Sequence, residues 1–235
     1  MVRASLALAA LGALGVIAAA AAMRGAAGLA SLPVIASQAF AWGVGTTLAV
    51  GGALRALRYD REQGIIALGR QRGVGAAAYS AGRVGGLVIV LAIAVAGGTL
   101  VAGLAATAVA TAQAVAVARA SAAAIAFALA FAVTLGPVAM ATLGGRSRPG
   151  GYLWLLVVLV LPDLLAPWTK DLLPAGWREL TSIPAALEAV RAGVQTAGPA
   201  AAHAARGAVG LVAVVAASLI VVRSRVPGAD APEDG

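Results

Sequence analysis

Apolar residues run along the chain in six long blocks, at 4–23, 32–54, 84–104, 121–143, 152–168 and 207–222, and every charged residue except Asp163 lies outside them. About 20 apolar residues in a helix cover the hydrocarbon core of a bilayer. The pattern therefore predicts an all-α integral membrane protein with six transmembrane helices. Pro33 opens the second block, where its missing amide donor does no harm. The stretch 105–120 stays apolar but carries Thr107, Thr111, Gln113 and Arg119, and is expected to turn the chain round as helix near the far surface. Two readings of the first block stand open. Its basic start and the small residues Ala18 to Ala22 suit a cleaved signal peptide, while its length of about 20 residues suits a full span better than a signal core. One membrane domain then occupies 1–225, and 226–235, with two prolines and three acids, reads as a disordered tail.

Composition narrows this further. Of 235 residues, 61% are hydrophobic and 11% charged, so six spans leave short loops and no room for a second, soluble catalytic domain. The net charge of +8 acquires its meaning from position. With the amino terminus inside, Arg3, Arg55, Arg58, Arg61, Arg70, Arg72, Arg83, Arg146, Arg148, Arg223 and Arg225 fall on the inner side, against Arg24, Arg119, Lys170, Arg178, Arg191 and Arg206 outside. This asymmetry predicts both ends inside by the positive-inside rule, and accounts for the basic residues without nucleic acid. Without cysteine there is no disulfide and no thiolate metal site. Glycine is abundant, and small residues four apart, such as Gly82 with Gly86, Gly43 with Thr47 and Thr99 with Gly103, are too frequent for any one pair to mark a helix contact.

Two segments carry chemistry. The first is the inner loop, 55–83. The second span is expected to continue as helix to about Gln63, with Gly64 as its break. A short helix over 65–72 would then lie along the surface, with Ile65, Leu68 and Ile66 toward lipid or a partner. Gly73 and Gly75 turn the chain into a helix that enters the third span through Tyr79 and Arg83.

Glu62-Gln63-Gly64, then Leu68, Gln71-Arg72-Gly73-Val74, Tyr79 and Gly82-Arg83 together resemble the cytoplasmic loop of type-2 ABC exporter permeases. The resemblance extends to span count, orientation and the place of this loop between spans two and three. It departs at Ile65, where the family often has Thr, and at Gly73, near a usual Pro. It also departs in the short lead before the first span, which implies that the family's amphipathic amino-terminal helix is absent or very short. The resemblance implies a permease subunit in the cytoplasmic (inner) membrane, paired with a second permease copy and with two copies of a separate ABC ATPase. In that arrangement Asp60, Arg61, Glu62, Gln63, Gly64, Leu68, Arg72 and Gly73 couple to the ATPase, and ATP and Mg are bound by the partner and not by this chain. The dimer face would use spans one and five.

The second segment is the end of span five and the loop after it. Pro162, Asp163, Pro167 and Trp168 are expected to break the helix at its outer end. Asp163 is either a functional carboxylate at membrane depth or an interfacial helix cap beside a Trp anchor, and these four residues form a candidate outer gate. Downstream, Ser182 is placed to cap a helix with Pro184 in its first turn. Ile183, Leu187, Val190 and Val194 share one face of it, and Gly198-Pro199 ends it. This amphipathic helix is expected at the outer surface. It is similar to the re-entrant or surface helices the same family places between its last two spans, with Leu173-Pro174, Trp177 and Ile183-Pro184 as the matching residues.

The chain has no Gly-x-x-x-x-Gly-Lys-Ser/Thr phosphate loop, and its sole lysine is Lys170 on the outer side. No acids or histidines cluster as a metal site would need, and the single histidine, His203, reads as solvent-facing or interfacial. Polar span residues Ser37, Gln38, Thr46, Thr47 and Thr134 either line a path or bond to neighbouring helices. The expected function is the membrane subunit of an ATP-driven exporter. A non-transporting anchor or assembly subunit of a larger envelope complex is the alternative.

Overall fold

The computed structural model describes residues 12, 15, 28–110, 113–145, 148–169, 172, 174, 176–196 and 198–226. The expected span at 4–23, apart from Gly12 and Gly15, and the tail beyond Val226 lie outside them, as do Lys170 and Leu173. The described residues form helices and turns with no strand: α1 (Leu29–Glu62), α2 (Ile65–Gln71), α3 (Ala76–Val109), α4 (Ala114–Leu143), α5 (Arg148–Thr169), α6 (Trp177–Thr181), α7 (Ile183–Thr196) and α8 (Ala201–Ser224). Five of these, α1, α3, α4, α5 and α8, are long and apolar enough to cross a bilayer. The chain is an all-α, multi-pass membrane protein.

These five helices coincide with the second to sixth apolar blocks but are longer, because helical hydrogen bonding continues past the apolar stretch, at both ends in all but α4, which is extended only at its start. α3 runs to Val109 and α4 starts at Ala114, so most of the stretch 105–120 expected to turn the chain round belongs to these two helices. α1 is not uniform. It begins with a 3-10 turn at Leu29–Ser31 and passes through a π-helical stretch at Phe40–Gly45. An i→i+5 turn of this kind re-aims the side chains beyond it, and Trp42 from this stretch meets Phe131 of α4 edge-on at 5.2 Å.

α4 forms the centre, with 72% of its most apolar stretch buried against 11% for α5. Phe127, Phe131, Leu135, Val138 and Met140 of α4 pack with Phe40 and Leu57 of α1, Leu91 and Val95 of α3, and Leu187 of α7 in one continuous core. Most small-residue spacings are open: a side chain at Gly43, Gly82 or Gly86 would meet nothing within 4 Å. Of the three named pairs only Thr99 with Gly103 sits at a helix contact, where a Cβ at Gly103 would meet Ser121 of α4 at 3.0 Å, and tighter approaches involve backbone. A Cβ at Gly207 or Gly210 of α8 would sit 2.7 Å from the Ala186 carbonyl oxygen or 2.6 Å from that of Leu180, so only glycine lets α8 lie directly on α6 and α7.

One expectation about the outer segment changes. α5 continues through Pro162 and Pro167 to Thr169 and does not break at Pro162. The cause is physical: in a span an opened backbone finds no water, so the helix persists around proline with neighbouring groups making good the lost bond. α7 is amphipathic: its face bearing Ile183, Ala186 and Leu187 belongs to the main core, packed against α4 and α8, while Val194 is exposed.

Candidate functional site

At one end of the bundle, α1 and α3 meet on a single carboxylate. Asp60, in the last turn of α1, is only 1% exposed. Its Oδ2 accepts from the Tyr79 hydroxyl and its Oδ1 pairs with the Arg83 guanidinium, both from the first turns of α3. Arg83 also lies 5.8 Å from the Tyr79 ring centroid and points Nε at the Tyr79 oxygen at 3.5 Å. The four-residue spacing that puts Tyr79 and Arg83 on one helix face thus closes a clamp on Asp60. A buried carboxylate so enclosed is stable only because both oxygens are partnered.

The clamp holds the short helix α2 between its two glycines. Gly64 (φ 66°) ends α1 and Gly73 (φ 75°) ends α2, both in the left-handed region. The α2 terminus is a full Schellman turn: Val74 N–H donates to the Gly69 carbonyl and Gly73 N–H to that of Arg70, each at 2.9 Å. Ile66 is buried in the core beneath α2, while Leu68 is 48% exposed and Gln63, Gln71, Arg72 and Val74 are exposed around it. Of the three apolar residues expected to face outward, Ile66 instead faces inward and anchors the helix.

The eight expected coupling residues therefore divide. Glu62, Gln63, Gly64, Leu68, Arg72 and Gly73 form an exposed rim. Asp60 is enclosed and acts by positioning α1 against α3. Arg61 turns into the bundle, where its Nη1 donates to the Gly144 carbonyl beyond α4 and its Nη2 to the Arg225 carbonyl beyond α8, each at 3.4 Å.

The opposite end carries a second polar group. Asp163 of α5 accepts from Arg178 Nε of α6 at 2.8 Å, and with Pro167, Trp177 and Arg178 it lines a cleft of about 450 Å³. Pro162 lies within the helix, and Trp168, 80% exposed, stands outside the cleft. Asp163 is thus paired across to α6, and does not cap a helix beginning at Leu164. Beside it, Glu179 of α6 bonds to His203 and, at 2.9 Å, to Arg206 Nε of α8. Burial pushes the Glu179 carboxyl up, but the hydrogen bonds and charges of His203 and Arg206 outweigh it and hold the carboxyl below its ordinary range. This triad was not legible in sequence, because Glu179 is 24 residues from His203 and only the docking of α6 on α8 joins them. Glu188 of α7 reaches α1 by accepting from Gln38 Nε2 at 2.9 Å, and it pairs with Arg191. Gln38 is thereby an interhelical bond, whereas Ser37, Thr46 and Thr47 bond back to carbonyls of their own helix. Among the described residues no group of three His, Cys, Asp or Glu gathers as a metal site would require.

No protein-family model, no curated protein and no solved structure matches the chain.

Proposed function

We propose that this chain is the membrane subunit of an ATP-driven exporter, working as a pair of permease copies with two copies of a separate ATPase that supplies nucleotide binding and hydrolysis. The observation that carries the reading is an exposed short helix fastened to two spans at once: α2, set between left-handed glycines, with the Asp60–Tyr79–Arg83 clamp locking α1 to α3 behind it. A load applied at Leu68 and Arg72 passes through Ile66 into the core and through the clamp into both spans, instead of deforming a loop. The second permease copy is proposed to pack along α5 and the segment 4–23. Tyr152, Leu153, Trp154, Leu156, Leu161 and Leu164 of α5 point away from the rest of the bundle.

The test is co-purification of the tagged chain in mild detergent. A phosphate-loop ATPase should be retained by the native chain and lost with Leu68→Glu and with Glu62→Ala combined with Gly64→Pro. Retention of no ATPase, or equal retention by the variants, overturns the reading. Recovery of other envelope proteins in place of an ATPase supports the anchor or assembly subunit instead.

A further inference from the structure

Beside α2, where the carboxyl ends of α1, α4 and α8 converge, a cleft of about 610 Å³ is lined by Arg61, Ile66, Arg70, Gly145, Ser224 and Arg225 among others. Three arginines line it, and no carboxylate belongs to its described lining. Every other close grouping of cations described here has an acid within it: Arg83 has Asp60, Arg178 has Asp163, Arg191 has Glu188, and Arg206 has Glu179. Here the arginines face one another. Among the described residues Arg61 donates to two carbonyl oxygens at 3.4 Å, long for a charged donor. Among the described residues Arg225 Nη1 is buried with no hydrogen-bond partner. Burial, and then the charge of Arg61, hold the Arg225 guanidinium below its ordinary pKa. A buried N–H of a charged group without an acceptor is a costly arrangement that an anion in the cleft would relieve.

We infer that this cleft binds a phosphate group, with Arg61 and Arg225 as its principal ligands and Arg70 at its rim. Guanidinium forks match phosphate oxygens in pairs. The cleft lies where spans leave the apolar zone, which is the level of lipid headgroups, and basic pockets between spans at that level suit anionic headgroups. The same chemistry accepts a phosphodiester headgroup or free phosphate. The inference does not rest on the ATPase reading: loss of that reading leaves the unpartnered guanidinium and its cleft unchanged.

The test uses the full chain in detergent, followed by native mass spectrometry and thermal unfolding. Phosphatidylglycerol should be retained at least tenfold better than phosphatidylcholine, and Arg61→Gln with Arg225→Gln should abolish that preference. Arg61→Lys with Arg225→Lys keeps the charge and should keep part of it, and Arg178→Gln at the opposite end should leave it intact. If millimolar inorganic phosphate also raises the unfolding temperature of the native chain but not of the Gln variant, the site takes the free anion as well. If only the lipid acts, the headgroup is the ligand. Equal retention of both lipids by the native chain with no effect of phosphate overturns the inference, and needs no variant to fold.

Discussion

Asp60 shows how one side chain can govern a site without touching what the site binds. Its carboxylate is enclosed by Tyr79 and Arg83, and removing its charge leaves Arg83 facing a neutral amide in a largely desolvated place. Because Arg83 is itself part-exposed, Asp60→Asn should destabilise the protein by about 1–3 kcal/mol, less than a fully buried pair would lose. Tyr79→Phe removes one hydrogen bond and should cost about 1 kcal/mol. Both are read as the shift in unfolding temperature in detergent. Gly73→Ala forces an L side chain to a φ of 75° and should cost about 1–2 kcal/mol with no change in core packing. Glu179 supplies a pH dependence. Its folded carboxyl titrates below the ordinary glutamate value of about 4.3, so its contribution is complete above that value and is lost as the pH falls through the lowered folded value. Thermal unfolding measured from neutral pH down to about pH 3 should show this acid loss, and Glu179→Gln should flatten it.

Among the elements, α5 and α7 show where periodicity is a sufficient guide and where it fails. The inner loop was legible almost residue by residue, since glycine breaks, the short helix and the return through Tyr79 and Arg83 are local events set by backbone preference. The cap of α7 was legible for the same reason: Ser182 Oγ accepts from the Ala185 amide at 3.1 Å. Proline at 162 was misleading because its usual effect assumes water to receive the freed carbonyl. The burial of α7 was hidden because an amphipathic stripe does not say whether it faces lipid or protein, and here Gly207 and Gly210 decide the matter by letting α8 come close. The tie between α5 and α6 can be isolated by charge exchange. Asp163→Arg and Arg178→Asp should each lower stability by about 0.5–1 kcal/mol, a modest loss because the pair is part-exposed, and the double exchange should restore most of it.

For the whole molecule, the threading places the exposed rim around α2 and the Glu179 cluster at opposite ends of the spans. The chain lacks cysteine, so single introduced thiols report cleanly. Leu68→Cys and Leu172→Cys, both at exposed positions, should react with an impermeant maleimide from opposite faces of sealed vesicles. Labelling of both from one face would contradict the arrangement of the five helices across the bilayer. The unequal burial of those helices has a mechanical consequence. α5 is backed at its start, where Gly151 lies against the Thr142 carbonyl, and joins the core through Leu155, with Val158 and Leu159 packed beside it, before Asp163 meets Arg178. From Leu159 to Asp163 is about one turn of helix, an arm of about 6 Å. A tilt of about 10° at Leu159 would carry Asp163 through only about 1 Å, too little to open its bond to Arg178. The outer turn of α5 is thus seated by apolar contacts on one side of it and by an ion pair on the other, so that movement of this end has to carry α6 with it.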